Sequence, residues 1–476
     1  MRKPIYSTAI LRALLCYLFT MMLCIFINLR CQISHTIIAD KTIIHLVNET
    51  DTTIKAISFN LFDFIKICSN SRTHTHNSTC TALILNEYVR FHAATLLGFG
   101  QPKFLLITPT TRVGLGNRLE QIEAAFFLAI LSGRALLIDH RTPYPLSSLF
   151  DSRNLNIQWD YSESTIQMLQ VAHEKSLKTQ RLHVKQLSSL LINKSLDFYD
   201  HFNKRSSVHI LHIYQPVMLD WPFELIHKLP KYKDVLPFLL GSWPNYLFSF
   251  LFSPTLSIKR RYEQFFRKAK LDLPQNTWPS FFPWKTDTHR KTNRRLIVVQ
   301  LRVQGLSSTF RNHFQSTITR YIGCIQYFIQ QMLEKALSSS ITVLLVSDMT
   351  GETRIRTHKE INEKISEYCQ NVRSRTECPV VLSPTMPTHS AINISADALI
   401  GVILDFWLMG SGDITLVSHR SSFGLLGTRR NLNPVFIMDS DNQCTHTNES
   451  HYLVNKYIDM MAFYEKHGYL RRTPLD

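Results

Sequence analysis

The sequence contains few acidic residues for its size. Asp and Glu total 36 against 53 Lys and Arg, so the 476-residue chain carries a formal net charge of +17. A charge of this sign favours an anionic partner: a nucleic acid, a membrane surface or a phosphate-bearing substrate. The composition is not that of a disordered protein, because 45% of the residues are hydrophobic. The length predicts about two to four domains.

Long apolar runs are absent except near the amino terminus. Residues 13–29 form an uncharged run that, at about 1.5 Å per residue, approaches the roughly 30 Å thickness of a bilayer core. A cleaved signal peptide would have a shorter apolar region and a small-residue cleavage site, and residues 26–30 lack an A-x-A pattern. Basic residues precede the run, which favours a cytoplasmic amino terminus. We therefore predict a cytoplasmic tail at 1–12, a transmembrane signal anchor at 13–29 and a luminal body.

Glycosylation acceptor sites agree with a luminal body. Five N-x-S/T sequons follow the predicted anchor, at Asn48, Asn77, Asn193, Asn393 and Asn448. A body in the lumen does not meet nucleic acid, so we do not expect a nucleic-acid partner.

The cysteines beyond the anchor region favour disulfides. Six remain there, and an even number in an oxidising compartment is typical of paired cysteines. Two short spacings predict local pairs, and the other two cysteines are then left for a long-range pair: Cys68–Cys80, Cys369–Cys378 and Cys324–Cys444. A zinc site is the alternative for the first pair, because His74 and His76 lie between its cysteines.

Hydrophobic patterns predict two α/β halves behind a stem. Residues 30–100 are polar and mixed, and end in a helix near 81–97. A buried strand at 104–107, a helix at 119–132 and a strand at 135–138 then predict a βαβ unit. Residues 151–290 show poor periodicity and are not assigned in detail.

A basic segment at residues 285–295 is predicted to link the two halves. Beyond it, strands and helices alternate again: strands at 296–301, 342–347, 414–418 and 434–438, with helices near 318–337 and 396–409. The predicted divisions are a stem at 30–100, a first α/β half at 101–290, a second at 291–445 and a helical extension at 446–476.

The first motif, Gly114-Leu-Gly116-Asn117-Arg118, opens a helix after a strand. Two glycines allow a tight turn and close backbone approach, and free N–H groups at a helix start favour an anion. With Asp139 at the end of the next strand, this is most of a dinucleotide-binding fingerprint, which an NAD-dependent oxidoreductase would use. The third glycine position is Leu119, however, and a purely structural turn is an equal alternative.

Two further motifs lie in the second half. Arg302 follows the strand VVQL, where a guanidinium can reach the crevice of an α/β sheet and bind phosphate, or can form a surface ion pair instead. Segment 413–424 ends in Ser421-Ser422-Phe423-Gly424, a polar loop that starts a helix. Its hydroxyl and N–H groups either cap the helix or hold a phosphate. Asp405, on the preceding helix, is predicted to orient this loop.

Together the motifs resemble the α1,2- and α1,6-fucosyltransferase superfamily, especially the plant-type xyloglucan fucosyltransferases, with the nodulation and core fucosyltransferases as relatives. The resemblance rests on five islands of the sequence: 114–118, 136–139, 246–255, 298–302 and 413–424. Instead of the His-x-Arg-Arg type of motif, this chain has Gln300 and Val303 around Arg302, which favours the plant-type branch.

The resemblance implies a single-pass Golgi membrane protein with a GT-B fold of two Rossmann-like domains. It implies GDP-fucose as the donor, on the side of the second half, and a glycan or glycoprotein acceptor, on the side of the first half. It also implies inverting transfer and no metal or other cofactor. It also implies donor-binding residues at matching positions: Gly114, Gly116, Asn117, Arg118, Arg302, Asp405, Ser421, Ser422 and Phe423.

No carboxylate is clearly placed as the general base of such a transfer. The acidic candidates near the first motif are Asp139, Asp151 and Glu123. Because this role is unassigned, a non-catalytic protein of the same fold that binds a glycan or a nucleotide sugar remains an alternative.

Overall fold

The computed structural model describes residues between 58 and 447, all within residues 58–476, one of the two units into which the chain divides. The described residues are 58–61, 63–64, 77–110, 113–142, 144–151, 159–173, 177–183, 198–204, 206–214, 250–271, 294–302, 314–334, 340–372, 377–385, 396–418, 421–428, 433–438 and 444–447. Within these ranges, no helix combines the length and the apolar character that a membrane span requires. The predicted tail at 1–12 and anchor at 13–29 lie outside them.

Helices and strands alternate along the described chain. The helices are α1 Asn77–Leu96, α2 Leu115–Ser132, α3 Glu163–His173, α4 Leu256–Lys268, α5 Phe314–Glu334, α6 Gly351–Val372, α7 Ala396–Met409 and α8 Ser422–Thr428. The strands are β1 Phe104–Thr108, β2 Ala135–Ile138, β3 Thr179–His183, β4 Ile210–Tyr214, β5 Arg294–Leu301, β6 Ser340–Ser347, β7 Val380–Leu382, β8 Ile414–Ser418, β9 Val435–Met438 and β10 Cys444–Thr447. A π-helical turn, Asp200–Lys204, precedes β4.

The strands form two sheets. The first has the order β2-β1-β4-β3 and is parallel throughout. The second has the order β10-β9-β8-β5-β6-β7 and is parallel except for its edge strand β10. Buried parallel strands read as continuous apolar runs, as the predicted strands do. The predicted α/β class is confirmed.

One predicted boundary is wrong. The linker was placed at 285–295, but β5 begins at Arg294, and Arg294 and Arg295 pair with Ser340 and Ile341 of β6. Strand pairing with β6 supplies hydrogen bonds to this basic segment, which composition alone assigned to a loop.

Two predicted disulfides are present. Cys324 of α5 is bonded to Cys444 of β10, and Cys369 of α6 is bonded to Cys378, just before β7. The first attaches the antiparallel edge strand to a buried helix, and the second closes the turn between α6 and β7. The pair Cys68–Cys80 cannot be placed, since Cys68 and the Cys80 side chain lie outside the described residues.

Helix α1 covers the free edge of β2. The Tyr88 hydroxyl accepts the backbone N–H of Leu136 and donates to the Arg134 carbonyl, both at 2.9 Å. The His92 Nε2 lies 2.8 Å from the Leu136 carbonyl oxygen. Edge strands need such cover because their outer N–H and C=O groups are unpaired. This helix falls within residues 30–100, the predicted stem, and packs onto the first sheet.

A fully buried arginine ties the first sheet together. The Arg134 guanidinium donates to the carbonyls of Phe202 (2.9 Å), Phe104 (3.0 Å), His209 (3.1 Å) and Val208 (3.1 Å). These carbonyls belong to the π-helical turn and to the starts of β1 and β4. Burial lowers the pKa of Arg134 to about 10.

We expect Arg134→Ala to lower the free energy of unfolding by about 3–5 kcal/mol, because several buried carbonyls lose their donor. Urea denaturation followed by circular dichroism measures the loss. The control is Arg141→Ala, which breaks an exposed ion pair to Asp139 and should cost less than about 1 kcal/mol. Equal losses in the two variants would contradict a structural role for Arg134.

Candidate functional site

The second sheet has a topological switch point between β5 and β8. From β5 the chain continues to β6 on one side, and it later reaches β8 on the other side of β5. In open parallel sheets, ligands bind outside the carboxyl ends of the strands at such a point. Arg302 follows β5 and Ser418 ends β8, so both border this crevice.

The Ser418 hydroxyl joins the ends of these two strands. Its Oγ donates to the Gln300 carbonyl (2.8 Å) and accepts the Arg302 backbone N–H (3.0 Å). Because the single hydroxyl proton is used, the Tyr321 hydroxyl, at 2.8 Å, donates to the same oxygen. Burial raises the pKa of Tyr321, so this group keeps its proton. The Arg302 guanidinium makes no hydrogen bond or ion pair with any residue that the structure describes.

Helix α8 begins directly after this point, in the predicted serine loop. The buried Ser421 hydroxyl accepts the backbone N–H of Gly424 at 3.2 Å, so Ser421 caps the helix. Of the two roles considered for this loop, the Ser421 hydroxyl therefore has the capping one. The Ser422 side chain lies outside what the structure describes. Phe423 is half-buried and packs edge-on against Phe406, with ring centroids 5.3 Å apart.

Three motifs that are distant in the sequence meet at the start of α8. A Cβ atom added to Gly116 would lie 2.7 Å from the backbone N of Phe423 and 2.8 Å from its Cα. A Cβ atom added to Gly424 would collide with the side-chain oxygen of Gln300. The lack of a Cβ at Gly116 therefore permits close approach to the backbone of Phe423, and its lack at Gly424 leaves room for the side chain of Gln300. The first motif, the end of β5 and the serine loop form one cluster.

The remaining residues of the first motif build the start of α2. Gly114 is extended (φ −63°, ψ 164°) and precedes the helix, and its carbonyl accepts the Arg118 N–H at 3.2 Å. The Arg118 side chain is buried and donates to the carbonyls of Val113 (2.9 Å) and Thr142 (3.4 Å). Burial lowers the pKa of Arg118. Asn117 is half-buried in the first turn.

The predicted role of Asp405 in orienting the serine loop is wrong. Its carboxylate accepts hydrogen bonds from the hydroxyls of Ser383 and Thr385 (2.5 Å for the latter), beyond the carboxyl end of β7. Arg354 donates to the carbonyls of the same two residues, at 2.6 and 2.5 Å. Asp405 thus shapes a different loop at the same edge of the second sheet, because its helix packs between them. Burial raises the pKa of Asp405 to about 6, although the two hydroxyls and Arg354 lower it.

The three acidic candidates for a general base differ in access. Asp139 follows β2, is partly exposed and pairs with Arg141 at 2.9 Å. Asp151 is half-buried, and its N–H donates to the Ser253 carbonyl at 2.8 Å. Glu123 lies inside α2 and is only 2% exposed, so a substrate hydroxyl does not reach it. Asp139 is the candidate nearest to a sheet edge.

A polar pair at the carboxyl edge of the first sheet was not predicted. His212 of β4 lies 2.9 Å, through Nε2, from the Thr108 hydroxyl at the end of β1. Its strand lies in residues 151–290, where the sequence was not assigned. The signal was the period-two alternation of Ile210–Tyr214, in which His212 falls on a half-exposed position.

Several predictions fall outside the described residues. These are the acceptor sites at Asn48, Asn193, Asn393 and Asn448, and the zinc alternative with His74 and His76. Asn77 begins α1, but its side chain is not among those described. In the part of the chain that the structure describes, no group of three or more His, Cys, Asp or Glu side chains forms a metal site.

No protein-family model and no curated protein matches the chain. Among solved structures, it is similar to FUT1 of Arabidopsis thaliana in complex with GDP, with 15% identity and a TM-score of 0.45 over 76% of this chain and 82% of that one. It is also similar to the fucosyltransferase NodZ from Bradyrhizobium, with 12% identity and a TM-score of 0.39 over 73% of this chain and 99% of that one. The similarity to POFUT1 has 11% identity and a TM-score of 0.36 over 71% of this chain and 98% of that one.

The structural neighbours are fucosyltransferases. NodZ has been crystallised with GDP and soaked with GDP-fucose.

We expect Gly116→Ala to lower the free energy of unfolding by about 1–3 kcal/mol, because the added methyl group forces apart the backbones that meet at Phe423. Thermal and urea unfolding measure this. The matched control is Gly323→Ala in α5, where a Cβ meets nothing within 4 Å and a gain of about 0.5–1 kcal/mol is expected. A stable Gly116→Ala protein would refute the close approach.

We expect Asp405 to make stability depend on pH. Its pKa is higher in the folded protein than its usual value of 3.8, so its contribution to stability is fully present below pH 4 and is lost as the pH rises through 6. Relative to wild type, Asp405→Asn should therefore gain about 3 kcal/mol of unfolding free energy between pH 4 and pH 7. Urea titrations across this range measure the difference, and a constant difference would contradict the burial of a carboxylate.

Proposed function

We propose that the chain is a fucosyltransferase that moves fucose from GDP-fucose to a hydroxyl group of a glycan acceptor. One observation carries the proposal: Gly116, Gln300, Gly424 and the backbone of Arg302 are brought together at one switch point. These are the motifs that resemble the superfamily, and they lie about 100 to 300 residues apart in the sequence. A chance match to short motifs would not place them in contact.

The donor would place its diphosphate at the carboxyl ends of β5 and β8. Arg302 is half-buried there, and its guanidinium has no partner among the described residues. Arginine suits a diphosphate because its planar fork makes two charge-assisted hydrogen bonds. As the bond to fucose breaks, negative charge grows on GDP, and a positive group fixed at this place stabilises the leaving group.

We further propose metal-independent, inverting transfer without a cofactor, in which charge stabilisation comes from the protein. The polar group that supports it is the Arg302 guanidinium at the end of β5. The other arginine of the motifs, Arg118, donates to the carbonyls of Val113 and Thr142, so it supports the loop before α2.

A Golgi membrane location with a luminal body is part of the proposal. It is supported by the apolar run at 13–29, by the five acceptor sites and by the two disulfides of the described residues, which are typical of an oxidising compartment. An NAD-dependent oxidoreductase is less well supported, since Leu119 replaces the third glycine and is fully buried, and Asp139 is paired with Arg141.

We expect Arg302→Ala to weaken GDP binding ten- to a hundred-fold, because a charge-assisted hydrogen bond contributes about 1.5–3 kcal/mol. Isothermal titration calorimetry with EDTA present measures the affinity. The matched control is Arg295→Ala on the same strand, since Arg295 pairs with Asp413 at the amino end of β5, away from the crevice.

Equal GDP affinities in the Arg302→Ala and wild-type proteins would remove Arg302 from the site. A requirement for Mn²⁺ would contradict metal-independent binding. Wild-type protein that binds GDP-fucose and glycan but never transfers fucose would leave the binding-protein alternative.

A further inference from the structure

The first sheet has a switch point of its own, between β1 and β4. From β1 the chain passes to β2 on one side, and β4 lies on the other side of β1. Because ligands of open parallel sheets bind at a switch point, we expect a ligand outside the carboxyl ends of these two strands. Thr108 and Tyr214 end them in register, and His212 reaches Thr108 across the pair.

The carboxyl edges of the two sheets lie next to each other. Helix α2 follows β1 and helix α8 follows β8, and the contact of Gly116 with Phe423 joins the first turns of these two helices. A donor at β5 and β8 and an acceptor at β1 and β4 therefore occupy neighbouring switch points.

His212 has the chemistry of a proton acceptor at this edge. Nε2 lies 2.9 Å from the Thr108 hydroxyl, and Nδ1 has no hydrogen-bond partner among the described residues. The side chain is half-buried, and the Tyr214 ring lies 6.2 Å from its own. With Nε2–H donated to Thr108, the lone pair of Nδ1 is left for an incoming hydroxyl.

The His212 side chain is neutral near pH 7, chiefly because it is half-buried. Burial and the Arg181 guanidinium of β3 lower the pKa of His212, and Asp139 beyond β2 opposes them. Tyr214 of β4 carries a phenol, and Thr108 of β1 is uncharged. An imidazole that is neutral at working pH is able to take a proton.

We propose that the β1–β4 edge binds the acceptor sugar and that His212 Nδ1 takes the proton of its attacking hydroxyl. The inference rests on the proposed function. In the transfer, the acceptor oxygen forms a bond to C1 of fucose while the bond from C1 to the phosphate oxygen breaks. GDP leaves with that electron pair, and the acceptor proton goes to His212, so no oxidant or further reactant is needed.

His212 is better placed than two of the three acidic candidates, Asp139 and Glu123. Asp139 is paired with Arg141, and Glu123 is inside α2. Thr108 is a positioning residue, because its hydrogen bond to Nε2 fixes the orientation of the His212 ring.

His212→Gln tests the proposal, since its amide preserves a hydrogen bond to Thr108 but takes no proton. Full-length protein in detergent is incubated with GDP-fucose and methyl galactosides, methyl N-acetylglucosaminides or water as acceptors, and released GDP is measured from pH 5 to 8. We expect kcat to fall about 100- to 10,000-fold, with GDP affinity unchanged. The transfer rate of the wild-type protein should decline as the pH drops through the pKa of His212. This decline at acidic pH, the acidic limb of the pH–rate profile, should be absent from the variant.

The matched control is His173→Gln in the same half, because the Nε2 atom of His173 also has a single oxygen partner, the Thr95 carbonyl at 2.9 Å. It should keep both the wild-type rate and the acidic limb. If the His212→Gln variant does not fold, the Thr108→Val variant is tested instead. We expect its kcat to fall several-fold and its pH–rate profile to retain the acidic limb.

Two results would refute the inference in distinguishable ways. If wild-type protein transfers fucose and His212→Gln or Thr108→Val does so equally well, the assignment of His212 fails and the proposed function stands. If wild-type protein binds GDP-fucose but releases no GDP with any acceptor, the proposed function fails and the assignment fails with it.

Discussion

The geometry of the candidate site depends on the hydroxyl group of Ser418. One oxygen atom takes part in three hydrogen bonds, with the Gln300 carbonyl, the Arg302 N–H and the Tyr321 hydroxyl. All its hydrogen-bonding capacity is used, as a buried polar group requires. The ends of β5 and β8 are held together by this atom. The contact of α8 with Gly116 in the first half then brings the two carboxyl edges side by side.

The arginines differ in the hydrogen-bond partners of their guanidinium groups. Arg134 and Arg118 are buried and donate to backbone carbonyls, so their charge supports the first sheet and the loop before α2. Arg354 does the same for the loop after β7. Arg302 differs, because its side chain has no such partner among the described residues, and it stands at a strand end. The excess positive charge of the chain is therefore not one feature with one function.

Much of the fold was predictable because it depends on local patterns. The apolar runs of β1, β2, β6 and β8 occur where they were predicted, since buried parallel strands require continuous apolar residues. Strand β4, which has both buried and half-exposed positions, was missed. Its alternation of apolar and polar residues is short and lies in a segment without other regularity. The bounds of β5 were misjudged for a related reason, as basic residues at a strand end resemble a linker.

The amino-acid sequence was sufficient to place the buried segments, the glycine turns and the short disulfide between Cys369 and Cys378, because these depend on neighbours in the chain. It also contained the motifs that meet at α8. Which role each polar residue has was decided by tertiary structure. Ser421 caps a helix, Asp405 turns towards β7, and His212 faces Thr108 across a switch point. The physical reason is that a hydrogen bond needs a partner within about 3 Å. For Asp405 and His212 that partner comes from another element, about 20 and 100 residues away in the chain.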